Sequence, residues 1–291
     1  MSWLITGGSG QLGIALSNEL NKLGLAFNAL SSKDLDLTNE RIVNAFVSKL
    51  SPEVVVNCAA WTDVDGAEDH ELQASRVNRD GAENIAFAAK NCNAKLIHLS
   101  TDYVFSGEGN TPWRVDGAID PQCAYGRTKA DGENRVLLTH PEGASIVRTA
   151  WLYSPWGKNF AKTMTKLALG DNGEVSVVSD QIGQPTSAED LAKLIVDLVI
   201  LGTPPGIYHA TNSGQATWFE FAQEIFRLAG ADVSRVVPVS SSVYARAAKR
   251  PSYSVLSHDA WDKTSVHPMR DWRIALAESM PDIILTEKAR G

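Results

Sequence analysis

The sequence carries little that would tie it to a metal, a membrane or a nucleic acid. Its six histidines are scattered, with no HExxH run and no close pair; protein metal sites draw on such clusters, so no resident metal is expected. The three cysteines, Cys58, Cys92 and Cys123, are odd in number, widely spaced and without a CxxC. They fit buried thiols in a reducing compartment rather than a disulfide framework. Basic residues are outnumbered, 27 Lys and Arg against 34 Asp and Glu for a net charge of −7. That balance argues against electrostatic capture of DNA or RNA but leaves room for a phosphorylated small molecule held by a few local groups. The most apolar helix-like stretch, Leu191 to Leu201, is interrupted by Lys193 and Asp197 and is too short to span a bilayer. No basic segment with an apolar run behind it precedes Trp3-Leu4-Ile5, so no secretory leader is read and a cytoplasmic location is expected. Internal repeats and low-complexity tracts are missing too.

What is present is ordinary for a globular chain: 44% hydrophobic and 21% charged residues over 291 positions, enough for one large core or two smaller ones. Trp3-Leu4-Ile5 reads as a strand, Gln11 to Leu23 as a helix closed by Gly24, and Leu25 to Leu30 as a second strand. Ile42, Val43, Phe46, Val47 and Leu50 recur at helical spacing from about Thr38 and stop near Pro52. Val54-Val55-Val56 has the continuous branched character of a strand buried on both faces. A long helix over Glu71 to Lys90, a strand over Lys95 to Leu99, a helix around Tyr125 and a strand over Ser145 to Arg148 complete the alternation. Repeated βαβ units predict an α/β chain with a doubly wound, Rossmann-type parallel sheet.

Beyond residue 150 the rhythm loosens. Helices are expected over Asn159 to Leu169, over Ser187 to Leu201, from a Thr217-Trp218-Phe219-Glu220 capping box to Leu228, and over Arg270 to Ser279. Short strands are expected at Val175 to Val178, Ile207 to His209 and Val236 to Val239. The pattern suggests a nucleotide-binding domain over 1–150 and a smaller C-terminal substrate-binding domain over 151–291. A strand–helix–strand portion near 175–213 is expected to return to the first.

Two local patterns carry chemistry. Gly7, Gly10 and Gly13 lie between a strand and a helix, and Gly8 also fits the tighter GxGxxG spacing. Glycine there permits a sharp turn and close approach of backbone to a pyrophosphate, whose charge the helix N-terminus favours. At the end of the second strand, Ser31, Ser32 and Lys33 favour the 2′-phosphate of NADPH, whereas Asp34 suits NADH. Asp36 and Leu37 are expected beside the adenine. The second pattern is Tyr125 and Lys129, one turn apart on a helix, where a cation below a phenol lowers its pKa and makes it a proton donor to a carbonyl. Lys129 would also reach the nicotinamide ribose. Thr101 or Ser100, after the fourth strand, can hydrogen-bond a carbonyl oxygen as charge develops on it. Cys123 is read as a buried thiol with no catalytic part. Of the eight tryptophans, Trp151 is the candidate for ligand contact, and Trp61, Trp113, Trp218, Trp261 and Trp272 are assigned to packing.

Six motifs in order resemble the extended short-chain dehydrogenase/reductases and, within them, the dTDP-4-dehydrorhamnose reductase family. They are the loop at 7–13, Asn57 to Asp65 (NxAAxTxVD), Ser100 to Gly107 (STDYVFxG), Tyr125 to Lys129 (YGxTK), Arg148 to Trp151 (RTxW) and Asp180 to Thr186 (DQxGxPT). The resemblance covers nearly the whole chain. It implies an NAD(P)-binding domain over 1–150 and a catalytic set of Thr101, Tyr125 and Lys129. It places Gln11, Leu12, Ala59, Ala60 and Thr62 at the cofactor, Val64, Tyr103, Trp151 and Asn159 at a nucleotide sugar, and Arg250 near its diphosphate. The implied reaction is reduction of the C4 ketone of dTDP-4-dehydro-L-rhamnose by NADPH, with NADH as the alternative, in a monomer or homodimer. The alternatives are an epimerase or reductase for another deoxysugar and, outside catalysis, a regulatory subunit resembling methionine adenosyltransferase β. Two places depart from the family: Tyr253 and Ser257 stand where RPxNSxLD has Asn and Asp, and Ala15 stands where some members carry an acidic magnesium ligand. No metal is therefore carried over.

Overall fold

The computed structural model describes residues 1–170, 173–244 and 246–289. Six parallel strands form the central sheet: β1 (Ser2–Thr6), β2 (Ala26–Leu30), β3 (Val54–Asn57), β4 (Lys95–Thr101), β5 (Ala144–Thr149) and β6 (Ile207–His209). Their spatial order is β6-β5-β4-β3-β1-β2. The winding direction reverses between β1 and β3, and a doubly wound sheet opens its ligand crevice beyond the carboxyl ends at that point.

Side-chain alternation explains why both faces are covered. From β1, Trp3 and Ile5 join Val56, Ile97 and Val147 beneath α1 (Gln11–Lys22) and α7 (Ala188–Ile200), while Leu4 turns the other way with Val55, Leu96 and Ile146. That second face is covered by α2 (Glu40–Leu50), α4 (Gly81–Asn91) and α5 (Ala124–Thr139). An outer lobe has its own core, where α6 (Phe160–Leu169), α8 (Trp218–Leu228) and α9 (Trp272–Lys288) gather Phe221, Ile225, Phe226, Trp272 and Met280. The parallel pair Val175–Val178 and Val236–Val239 lies against it. The capping box that opens α8 is formed, with Thr217 and Glu220 bonding each other's backbone.

Two helices differ from the sequence reading. The stretch expected as one helix over Glu71 to Lys90 is α3 (Glu71–Ser75), a π-helical turn at Arg76–Asp80, and then α4. The wider turn brings Asn78 inward to bond Trp61 and Thr128, a tertiary gain that periodicity does not register. The last helix begins at Trp272 rather than Arg270 and runs through Pro281 to Lys288. Arg270 is drawn instead to Asp190, and Ile283 beyond the proline is fully buried, so packing outweighs the missing donor.

Arg148 on β5 and Glu133 on α5 form a bidentate pair at 2.9 and 2.7 Å, with 2% and 4% of their side chains exposed. The guanidinium also donates to the Val115 carbonyl at 3.1 Å and lies over the Phe105 ring. Removing one partner strands the other charge in a poorly polarisable interior. Glu133→Ala is expected to cost about 3–5 kcal/mol, read as a lower urea midpoint at unchanged m-value; a parental midpoint would show that the pair does not hold α5 to the sheet.

Candidate active site

A cleft of about 750 Å³ opens at the carboxyl edge of the sheet, a size suited to a small-molecule ligand. Its floor is the glycine loop. Gly10 caps α1 with no side chain, so the first-turn N–H groups of that helix keep no internal partner and are left for an anion. A Cβ on Gly7, whose φ is +68°, would come within 2.7 Å of the Ala59 nitrogen, and one on Gly13 would strike the Gly7 carbonyl. These close approaches are why the loop needs glycine.

The far wall is built by α5 standing on the end of β4. Cys123 caps α5 by accepting from the Gly126 amide at 3.4 Å, and Glu68 accepts from Ala124 N at 2.8 Å. Gly126 matters as much: any Cβ there would collide with the Tyr103 carbonyl. Seated this way, the Tyr125 phenol lies beside the Thr101 side chain, and its ring meets Tyr103 edge-on at 5.6 Å. The Thr101 hydroxyl donates to Asp102 Oδ1 at 2.9 Å and accepts from the Tyr103 amide.

Lys129 departs from expectation. Its Nζ donates to the Leu99 carbonyl at 2.6 Å and lies 3.5 Å from His98 Nε2, below the strand end rather than under the phenol. Burial pushes the Tyr125 phenol up, and the Thr101 side chain only partly offsets it. The expected lowering of the phenol by Lys129 is therefore not seen. Lys129 itself is pulled down to about 8 by desolvation, against a smaller opposing effect of Glu133.

Of the other residues singled out from sequence, Gly7, Gly10, Gln11, Leu12, Gly13, Ser32, Ala59, Ala60, Thr62, Val64, Thr101, Tyr103, Tyr125, Lys129 and Trp151 line the cleft. Six sit elsewhere. Ser31 is held by the Asp34 carboxylate through both its amide and its hydroxyl, 2.9 and 2.6 Å, and Lys33 is exposed at the rim of that turn. Asp36 bonds Thr38, and Leu37 is buried against Gly81 with its carbonyl taken by Asn84. Asn159 spends its side chain capping α6 and donating to Gln11 Oε1 at 2.8 Å, which ties the outer lobe to the glycine loop. Arg250 pairs with Asp65 at 2.8 Å and lies 5.9 Å from the Tyr103 ring centre, at the edge of the cleft. Trp151, at φ +44°, stacks on Trp218 with ring centres 3.4 Å apart, so Trp218 backs it from the outer lobe.

Sequence reasoning missed Ser9, Cys58, Val77, Leu99, Asp102, Thr149, Ala150, Leu152, Gly157 and Lys158 as cleft residues. Asp102 and Leu99 were within reach, because they flank Thr101 at a strand end. Gly157 and Lys158 arrive only through the folding of the outer lobe against Gln11. The chain fits a dinucleotide: an uncapped helix start and a glycine cradle lie on one side, and buried Ser100 Oγ and Thr149 Oγ1 on the opposite wall lack a protein partner. Among the described residues no group of His, Cys, Asp and Glu could hold a metal ion, and no helix is long and apolar enough to cross a membrane.

Fold and site together define a nicotinamide-dependent oxidoreductase built on the short-chain dehydrogenase scaffold. The family model described as the RmlD substrate binding domain matches residues 1–284, and the chain belongs to that family. It is 47% identical to a dTDP-4-dehydrorhamnose reductase of Streptomyces griseus over 96% of this chain and 93% of that one. It is 44% identical to a dTDP-4-keto-6-deoxy-D-glucose reductase of Streptomyces niveus over 96% of each. The crystal structure of dTDP-4-dehydrorhamnose reductase from Bacillus anthracis in complex with NADP superposes with a TM-score of 0.92 at 38% identity, covering 97% of this chain and 99% of that one.

Asp102 generates a pH prediction. Burial raises its carboxyl from 3.8 to about 6, partly opposed by the Ser254 and Thr101 side chains beside it. The folded protein therefore keeps a proton that the unfolded chain loses. The stability contributed is full below about pH 4 and is lost as pH rises through 6, about 3 kcal/mol in all. Asp102→Asn should remove that loss, so urea unfolding from pH 5 upward should show the variant gaining on the parent; parallel curves would place the carboxyl in a wetter setting.

Proposed function

We propose that the protein reduces the C4 ketone of dTDP-4-dehydro-L-rhamnose to dTDP-L-rhamnose with NADPH, the last step of dTDP-rhamnose biosynthesis. The observation that carries this reading is the meeting of Thr101 and Tyr125 hydroxyls, beside buried Lys129, at strand ends that face a dinucleotide-type glycine loop. A reduced nicotinamide, when bound, supplies the hydride. Tyr125 gives its proton to the ketone oxygen, and its raised pKa keeps that proton in place until the oxygen gains charge. Asp102 and the Tyr103 amide fix the Thr101 oxygen at the cleft, and its one proton, given to Asp102 Oδ1, turns from there to donate to the ketone oxygen.

Gly7, Gly10, Gln11, Leu12, Gly13, Ser32, Ala59, Ala60 and Thr62 hold the cofactor, with residues 1–150 as the cofactor-binding domain. The outer lobe, within 151–291, closes the sugar-nucleotide side through Trp151, opposite Val64 and Tyr103. Arg250 reaches a diphosphate only by leaving or sharing Asp65. NADPH is favoured over NADH by the Bacillus anthracis relative's NADP complex. The Ser31–Asp34 bond, which offers a carboxylate near the ribose, keeps NADH in play. A cytoplasmic enzyme, monomeric or homodimeric, fits this reading.

One other reading has specific support: the Streptomyces niveus relative reduces, by its name, a 4-keto-6-deoxy-D-glucose, at nearly the same identity. A regulatory role without catalysis is disfavoured by the presence of Thr101, Tyr125 and Lys129 together. NADPH oxidation with dTDP-4-dehydro-L-rhamnose made in situ, and NMR of the product sugar, separates the two reductase readings. Turnover only with the D-glucose-derived ketone would shift the assignment. Tyr125→Phe is expected to lose at least ~100-fold in rate; full activity in that variant would remove the assigned proton donor.

A further inference from the structure

Three polar side chains cross the sheet on a single rung just below the cleft. Thr6, Asn57 and His98 are register partners on β1, β3 and β4, and each is at most 2% exposed. Their neighbours on the preceding rung, Ile5, Val56 and Ile97, are apolar. A run of hydrogen-bonding groups buried in an otherwise apolar sheet is costly unless every member is satisfied. Here the bonds lead to Lys129.

Proton positions along the run follow from donor and acceptor chemistry. The Ala59 backbone N–H can only donate, and it points at one Asn57 amide atom at 3.2 Å, so that atom is Oδ1; the Thr6 hydroxyl donates to it as well, at 2.6 Å. The other amide atom, Nδ2, is then a donor, and it faces His98 Nδ1 at 3.0 Å. Nδ1 must accept, so a neutral ring carries its proton on Nε2. Burial and the nearby Lys129 both disfavour a cationic ring. The Nε2–H faces Lys129 Nζ at 3.5 Å. An ammonium has three donors and no acceptor, whereas a neutral amine has a lone pair for that N–H.

We propose that His98 is a positioning residue for Lys129: Asn57 holds the imidazole with its proton on Nε2, and that N–H, aimed at Nζ, favours the amine and makes Lys129 a proton-exchanging group rather than a fixed cation. The proposal rests on the reading that Lys129 serves the reaction. The other groups facing Nζ do not supply the effect. Glu133, one turn along α5, opposes it and is already shared with Arg148. Cys58, at the end of β3, has its thiol pushed up by desolvation and stays uncharged. The Leu99 carbonyl accepts more strongly from the ammonium, so it too opposes the effect. The one contact that distinguishes the two forms in favour of the amine is the imidazole N–H.

Nitrogen-15 NMR of histidine-labelled free protein reads the first step directly. His98 should show a pyridine-type Nδ1 and a pyrrole-type Nε2 throughout about pH 6 to 9; the reverse tautomer, or a doubly protonated ring, overturns the proposal. The Lys129 13Cε signal should titrate with a midpoint of about 8. In His98→Gln the amide oxygen can turn to accept from the ammonium, so the midpoint should rise by about one pH unit or more, and the basic limb of kcat/KM should move with it. A folded variant with the parental midpoint overturns the proposal, while the tautomer measurement needs no variant to fold. Activity retained in Tyr125→Phe would undo the assigned reaction and leave the tautomer result standing. The wrong tautomer, with Tyr125→Phe inactive, would undo only this inference.

Discussion

The seat of α5 on the end of β4 governs the rest of the site. Lys129 donates to the Leu99 carbonyl at 2.6 Å, and Gly126 lets the helix come down on the Tyr103 backbone without a side chain between them. Asn78, turned inward by the π-helical turn, ties the same helix through Thr128 to the loop after β3 at Trp61. Two strand ends and one helix are thereby locked together, and the Tyr125 and Thr101 side chains have little freedom left to lose when a ligand arrives. A site assembled from rigid elements keeps its geometry better than one carried on loops.

Desolvation acts on this locked site in one direction. The Asp102 and Tyr125 acids are pushed up, and the Lys129 and His98 bases are pushed down. Each group moves toward its uncharged form because water has been excluded around it. A cleft from which water is excluded screens poorly, so charges and dipoles aimed at a carbonyl oxygen act strongly when charge develops there. Other charges around this zone are paired, Arg148 with Glu133 in the core and Arg250 with Asp65 at the edge of the cleft.

The central alternation of strands and helices was legible because its signals are local and repeated. Val54-Val55-Val56 has the branched run of a doubly covered strand, and Gly7, Gly10 and Gly13 between a strand and a helix suit a tight turn; both are as the structure has them. The helix through Arg76–Asp80 and the length of α9 were misread because in each case a tertiary contact, Asn78 to Thr128 or buried Ile283, outweighs a local rule. Ser31, Lys33, Asp36 and Leu37 were placed at the ligand by strand position alone. With an Asx-type turn at Asp34 and Leu37 buried, Ser32 is the residue of that segment that lines the cleft. Asn159 and Arg250 followed from motif resemblance, which reports that a residue is used but not which neighbour uses it.

The sequence by itself determined the scaffold and the chemical inventory: a parallel sheet, a phosphate-type loop, and a hydroxyl, a phenol and an amine spaced for carbonyl chemistry. Those follow from covalent spacing and side-chain alternation, which every stretch of chain carries within it. Only the tertiary structure decided where Lys129 aims its nitrogen, which tryptophan backs Trp151, and which protonation states the cleft prefers. Aim and ionisation depend on which distant segments exclude water from a group and offer it a partner, and that exists only once the chain has closed on itself.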